Sequence, residues 1–111
     1  MEVKEGDRMV ATRTMAVCDG VRVVGVHGEI DVANAGALQT RLRAAVDEAG
    51  LDAVAVDLGQ LTFLDARGLG SLVAVAAYAA QRHVQLTVIN TPEQVRRIMA
   101  ITGTAATLGV R

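Results

Sequence analysis

The sequence predicts an α/β domain in which a small mixed sheet carries helices mainly on one face, in the order ββαβαβα. Three observations predict it. At 111 residues, 51% of them hydrophobic and 21% charged, the chain has the size and apolar content of one domain with a continuous core. Its first part holds two apolar runs separated by Cys18-Asp19-Gly20, which is hairpin chemistry. From there on, apolar runs alternate with segments of three- and four-residue periodicity, the pattern of αβ units and parallel strands. A chain this short has helices enough to cover one sheet face. Residues 1–8, of mixed charge, are expected to form a flexible N-terminal segment, and residues 9–111 a single domain.

Residues 9–17 read as the weaker first strand and residues 21–30 as the stronger second, where Val21, Val23, Val24 and Val26 are β-branched. Asn34 is expected to cap a helix whose apolar positions Ala35, Leu38, Leu42, Ala45, Val46 and Ala49 recur at helical steps, with Gly50 ending it. Residues 54–58 read as a short apolar strand. Residues 61–70 follow as a buried segment delivering a turn and then a helix over residues 68–82. Leu69, Leu72, Val73, Val75, Ala76, Ala77 and Ala80 leave that helix little polar face, so it is either buried or covered by a partner. Residues 84–89 form the last strand. Thr91-Pro92-Glu93-Gln94 then combines a cap, a proline at the first helical position and a capping-box Gln. Val95, Ile98 and Met99 form the inner stripe of this helix and Gly103 stops it, leaving residues 104–111 as a tail without an assigned element.

Eleven Lys and Arg stand against twelve Asp and Glu, a net charge of -1, so no basic field recommends nucleic acid or an anionic membrane. The two aromatic residues, Phe63 and Tyr78, make no platform for stacked bases. Cys18, the one cysteine, excludes an intrachain disulfide and a thiolate cluster and is read as incidental. With no apolar window approaching about 18 residues, a cytoplasmic protein without membrane insertion is expected.

An enzyme is not expected. Ser71, the only serine, lies outside any G-x-S-x-G pattern, and His27 and His83 have no motif partner. No spacing of His, Cys and Asp suggests a metal site, and no cofactor is expected. Gly68-Leu69-Gly70 fits dinucleotide binding poorly, because the third glycine of that pattern falls at Val73 and Asn90 stands where a ribose-binding acid is wanted.

What remains is the apolar run that ends in Asp65-Ala66-Arg67-Gly68. Asp65 can cap the coming helix by accepting backbone N–H bonds, and one carboxylate can cap and serve a site together. Arg67 breaks a local rule, since a cation in the first helical turn is unfavourable by roughly 0.3–1 kcal/mol unless an acid answers it. Asp65, Asp31 or a partner's carboxylate are the candidates.

Gly28-Glu29-Ile30-Asp31 with the helix after it, Val54-Ala55-Val56-Asp57-Leu58, and Phe63-Leu64-Asp65-x-x-Gly68-Leu69-Gly70 resemble the STAS domain, specifically the bacterial anti-sigma factor antagonists, over roughly residues 9–108. The resemblance implies a sheet of four or five strands with helices on one side, and partner switching as the activity. In that scheme the antagonist binds an anti-sigma factor, often a serine kinase, and frees a sigma factor for transcription. Phosphorylation of a Ser or Thr just before the motif glycine breaks the complex.

Asp65 matches the motif acid, Asp31 the acid after the second strand, and Gly68 the motif glycine. The implied partner-binding residues are therefore Asp31, Asp65, Ala66, Arg67, Gly68 and Leu69. Arg67 occupies the phosphoacceptor position and Ala66 precedes it, so neither place offers a hydroxyl and the usual switch is not expected to operate. No direct contact with nucleic acid is implied, and oligomeric state stays open. Two other readings also follow from the resemblance: a regulatory subunit of a lipid-transport ATPase or other assembly, and a small nucleotide- or ligand-sensing domain.

Overall fold

The computed structural model describes residues 20–48 and 50–109, and the backbone of residues 10–18. The flexible segment expected at residues 1–8, the Cys18 side chain, Asp19 and Ala49 lie outside the described residues.

β1 (Val10–Cys18) and β2 (Val21–Ile30) form the antiparallel hairpin expected of two apolar runs separated by Cys18-Asp19-Gly20. β3 (Ala53–Leu64) runs parallel to β2, and β4 (Gln85–Ile89) parallel to β3. The described residues thus make a four-stranded sheet in the order β1-β2-β3-β4. Parallel neighbours need crossovers, which α1 (Ala35–Val46) and α2 (Ala66–Gln81) supply. Crossovers are right-handed as a rule, and two that step the same way across a sheet place their helices on one face. There α1 and α2 pack against each other. Val26 and Ile30 of β2, Val54 and Val56 of β3 and Val88 of β4 are buried with Leu42 of α1 and Leu72 and Val75 of α2 in a single apolar cluster.

β3 is longer than the five-residue strand expected at 54–58. Its pairing with β4 ends where Asp57 meets Ile89, but its pairing with β2 continues until Leu64 meets Ile30. Two irregularities, between Gly25 and His27 and between Gly28 and Glu29, each set one extra β3 residue against β2. Leu58, Leu61 and Leu64 are therefore all buried at three-residue spacing, where an unbroken strand would alternate.

Other boundaries also differ. α1 ends at Val46, short of Gly50, and α2 begins at Ala66, ahead of Gly68. β4 begins at Gln85 rather than residue 84. α3 (Glu93–Thr102) has Pro92 at its N-cap and no side-chain cap, so the Thr91 and Gln94 capping box does not form. The Thr91 hydroxyl is instead buried without a partner among the described residues. Gly103, at φ 73, stops α3 as expected. The unassigned tail holds a short helix, α4 (Ala105–Leu108), whose Leu108 is fully buried. The Gly109 carbonyl then accepts the Val88 N–H at 3.4 Å on the outer edge of β4. No described helix is long and apolar enough to cross a membrane.

Candidate partner-binding site

β2 and β3 end side by side, with Ile30 paired to Leu64 and the Asp65 N–H donating to the Ile30 carbonyl at 3.1 Å. The next residue of each chain direction, Asp31 and Asp65, therefore lies on one edge of the sheet. Asp65 caps α2 as the sequence predicts: its Oδ1 accepts the N–H groups of Arg67 and Gly68, both at 3.0 Å. Asp31 shapes the opposite turn, where its carbonyl accepts the Ala35 N–H at 2.9 Å and its Oδ1 the Ala33 N–H at 2.9 Å.

Asn34 occupies the N-cap position of α1 but makes no cap. It is fully buried and reaches backward, accepting the Asp31 N–H at 2.8 Å and donating to the Glu29 carbonyl at 2.6 Å. The side chain expected to start the helix instead ties down the turn that carries Asp31 and Val32. Gly68 seats the start of α2 on both strand ends, because a Cβ there would lie 2.6 Å from Ile30 Cγ2 and from Leu64 Cδ1. Ser71 fastens the two helix starts together, its hydroxyl lying 2.8 Å from the Ala35 carbonyl and 3.2 Å from that of Arg67.

The six residues named from the sequence are thus brought to one place but divide by depth. Ala66 and Arg67 are exposed, Asp31 and Asp65 half-buried, and Gly68 and Leu69 buried beneath them. The Arg67 guanidinium has no carboxylate within ion-pair distance among the described residues. Neither Asp65 nor Asp31 answers it.

Sequence reasoning missed the apolar flank. Val32 is 66% exposed and Phe63 47% exposed at the same edge. Their signal was available: Val32 is a β-branched residue in a polar turn, and Phe63 is one of two aromatics. Also missed is a groove of about 350 Å³ between the starts of α1 and α2, lined by Val32, Gly36, Gln39, Ala66, Arg67 and Gly70 among others. A larger depression of about 660 Å³ over α3 and α4, lined by Glu93, Arg96 and Ala106, shares no residue with this edge. An exposed cation near an exposed apolar side chain, on a backbone held by a cap and a buried glycine, is suited to recognising another macromolecule.

Known proteins share this fold. The family described as "Mlab, STAS domain" matches residues 17–109. BtrV of Bordetella bronchiseptica, which carries the name of an anti-sigma factor antagonist, is 32% identical over 90 residues, 81% of this chain and 77% of its own length. An anti-sigma factor antagonist from Mycobacterium paratuberculosis superposes with a TM-score of 0.73 at 29% identity, over 91% of this chain and 84% of that one. The phosphorylated form of SpoIIAA, a Bacillus cell fate determinant, shares the fold with a TM-score of 0.68 at 15% identity, over 91% of each chain.

Proposed function

The chain belongs to the STAS domain family, and we propose that it is an anti-sigma factor antagonist, which binds an anti-sigma factor and thereby frees a sigma factor in the bacterial cytoplasm. The observation that supports this reading is the Asp65–Gly68 frame, which carries the exposed Arg67 on the same groove as the exposed Val32. Asp31, Asp65, Ala66 and Arg67 form the contact edge, while Gly68 and Leu69 support it from beneath. Binding alone accounts for the activity, with no chemical step.

Regulation differs from that of relatives with a hydroxyl before the motif glycine. A phosphate there adds about -1.5 to -2 charge at the rim of an interface, enough to reverse a binding preference. Arg67 has no hydroxyl to phosphorylate and carries the opposite charge. Ser71, the only serine, is buried and hydrogen-bonded to two carbonyls, so a kinase does not reach it in the folded chain.

The test is to isolate the chain with its partners from the source cell, add ATP, and analyse the chain by mass spectrometry. A complex with an anti-sigma factor and no stoichiometric phosphate at Thr62 or Ser71 is expected. Stoichiometric phosphate at either residue would overturn the regulatory half. Copurification with a lipid-transport ATPase in place of an anti-sigma factor would overturn the first half.

A further inference from the structure

Three features of the groove between the starts of α1 and α2 need an explanation from outside the chain. Arg67, at its mouth, is exposed and unanswered among the described residues, and the first turns of both helices contain no acidic residue. Val32, at its rim, is an exposed apolar side chain. Gly36 and Gly70, on opposing helices, both line it. Glycine inside a helix is unfavourable, yet neither position needs it: both have ordinary φ values, and a Cβ at either would meet nothing within 4 Å. Gly68 is explained by the fold; Gly36 and Gly70 are not.

Resting on the antagonist reading above, we propose that this groove is the specificity pocket for an acidic segment of the anti-sigma factor. A carboxylate of that segment pairs with the Arg67 guanidinium, an apolar neighbour covers Val32, and the backbone passes close over Gly36 and Gly70. Charge decides the class of occupant. The groove's lining contains one charged side chain, the Arg67 cation, and a guanidinium at a helix start gains most from an anionic partner because the helix dipole disfavours it otherwise. The missing side chains at Gly36 and Gly70 supply the space, so selectivity combines an attractive charge with a width that larger side chains there would remove.

The test is calorimetric titration of the full chain with each anti-sigma factor of the source cell, beside thermal melts of every variant. Gly36→Leu and Gly70→Leu are expected to melt at or above the parent temperature but to bind at least about tenfold more weakly, a loss of about 1.4 kcal/mol. Arg67→Glu is expected to lose at least as much, Arg67→Lys to retain more, and the parent's affinity to fall more steeply with salt than that of Arg67→Glu. Parental affinity in both leucine variants, or in Arg67→Glu, overturns the groove assignment while leaving the function standing. If a leucine variant melts below the parent, the exposed Arg67 pair decides by the same criterion. A parent that binds no anti-sigma factor overturns the function and the groove together, a pattern distinct from uniform binding by all variants.

Discussion

A methyl group added at Gly68 would stand 2.6 Å from Ile30 Cγ2 and Leu64 Cδ1, inside a core that has no slack there. Gly68→Ala is therefore expected to lower unfolding free energy by about 1–3 kcal/mol, the usual cost of overpacking. Gly70→Ala, in the same helix with open space around its Cβ, is expected to raise it by about 0.5–1 kcal/mol. Urea unfolding of the two variants checks both, and a shared sign would show that seating on the strand ends is not what Gly68 provides. At this scale the sequence exposes residue chemistry but not which partner is in reach. Asp65 was legible as a cap because the donors it accepts from are backbone N–H groups two and three residues on. Asn34 was not, because its side chain turns back to Glu29 and Asp31 across a turn whose path the sequence does not state.

The elements α1 and α2 are joined at both ends. Ser71 links their starts, and at the other end the Asp47 carboxylate accepts the Tyr78 hydroxyl at 2.7 Å and pairs with Arg82 at 3.0 Å. The Arg82 guanidinium lies 3.7 Å from the Tyr78 ring centroid. The hydrogen bond to Asp47, followed by desolvation, raises the Tyr78 pKa above its ordinary value. The folded chain thus holds this proton more tightly than the unfolded chain. The stabilisation is fully present below the ordinary tyrosine pKa near 10 and is lost as pH rises through the raised folded value. With one tyrosine and no tryptophan, tyrosinate absorbance reports this group alone. Its midpoint in the folded chain is expected above that of the urea-unfolded chain, and Tyr78→Phe is expected to lack the matching part of the fall in Tm at alkaline pH. Coincident midpoints would remove the Asp47 bond as a tie between the helices. The longest misread element, β3, has a related lesson. Leu58, Leu61 and Leu64 repeat every three residues because two bulges re-phase the strand, and a period-two search stops at the first of them.

For the whole molecule, element order and the side of the sheet that bears helices were legible, since both follow from alternating periodicities and crossover handedness. The covering of β4 by the last residues was not, because four helical residues carry too little pattern to announce a helix. The opposite sheet face bears on the nucleotide-sensing alternative. A cavity of about 320 Å³ opens where β3 is irregular, lined by Gly25, His27, Asp57, Gly59, Gln60 and Asn90 among others. Gly25 and Asp57 alternate with the buried Val24, Val26, Val56 and Leu58, which places them away from α1 and α2. The cavity is large enough for a small ligand, but its lining holds one carboxylate and no Arg or Lys among the described residues. That carboxylate is committed, accepting the Gly59 N–H at 2.8 Å and the Asn90 amide at 3.1 Å. Among the described lining residues a polyphosphate would meet an acid and no Arg or Lys to answer its charge. A nucleotide present at 100 times its dissociation constant would add about 2.7 kcal/mol of stability, an easily measured rise in Tm. Millimolar ATP and GTP are expected to leave the melting curve unchanged. A rise that Asp57→Asn enhances would instead make this face an anion site and favour the sensing role over partner binding.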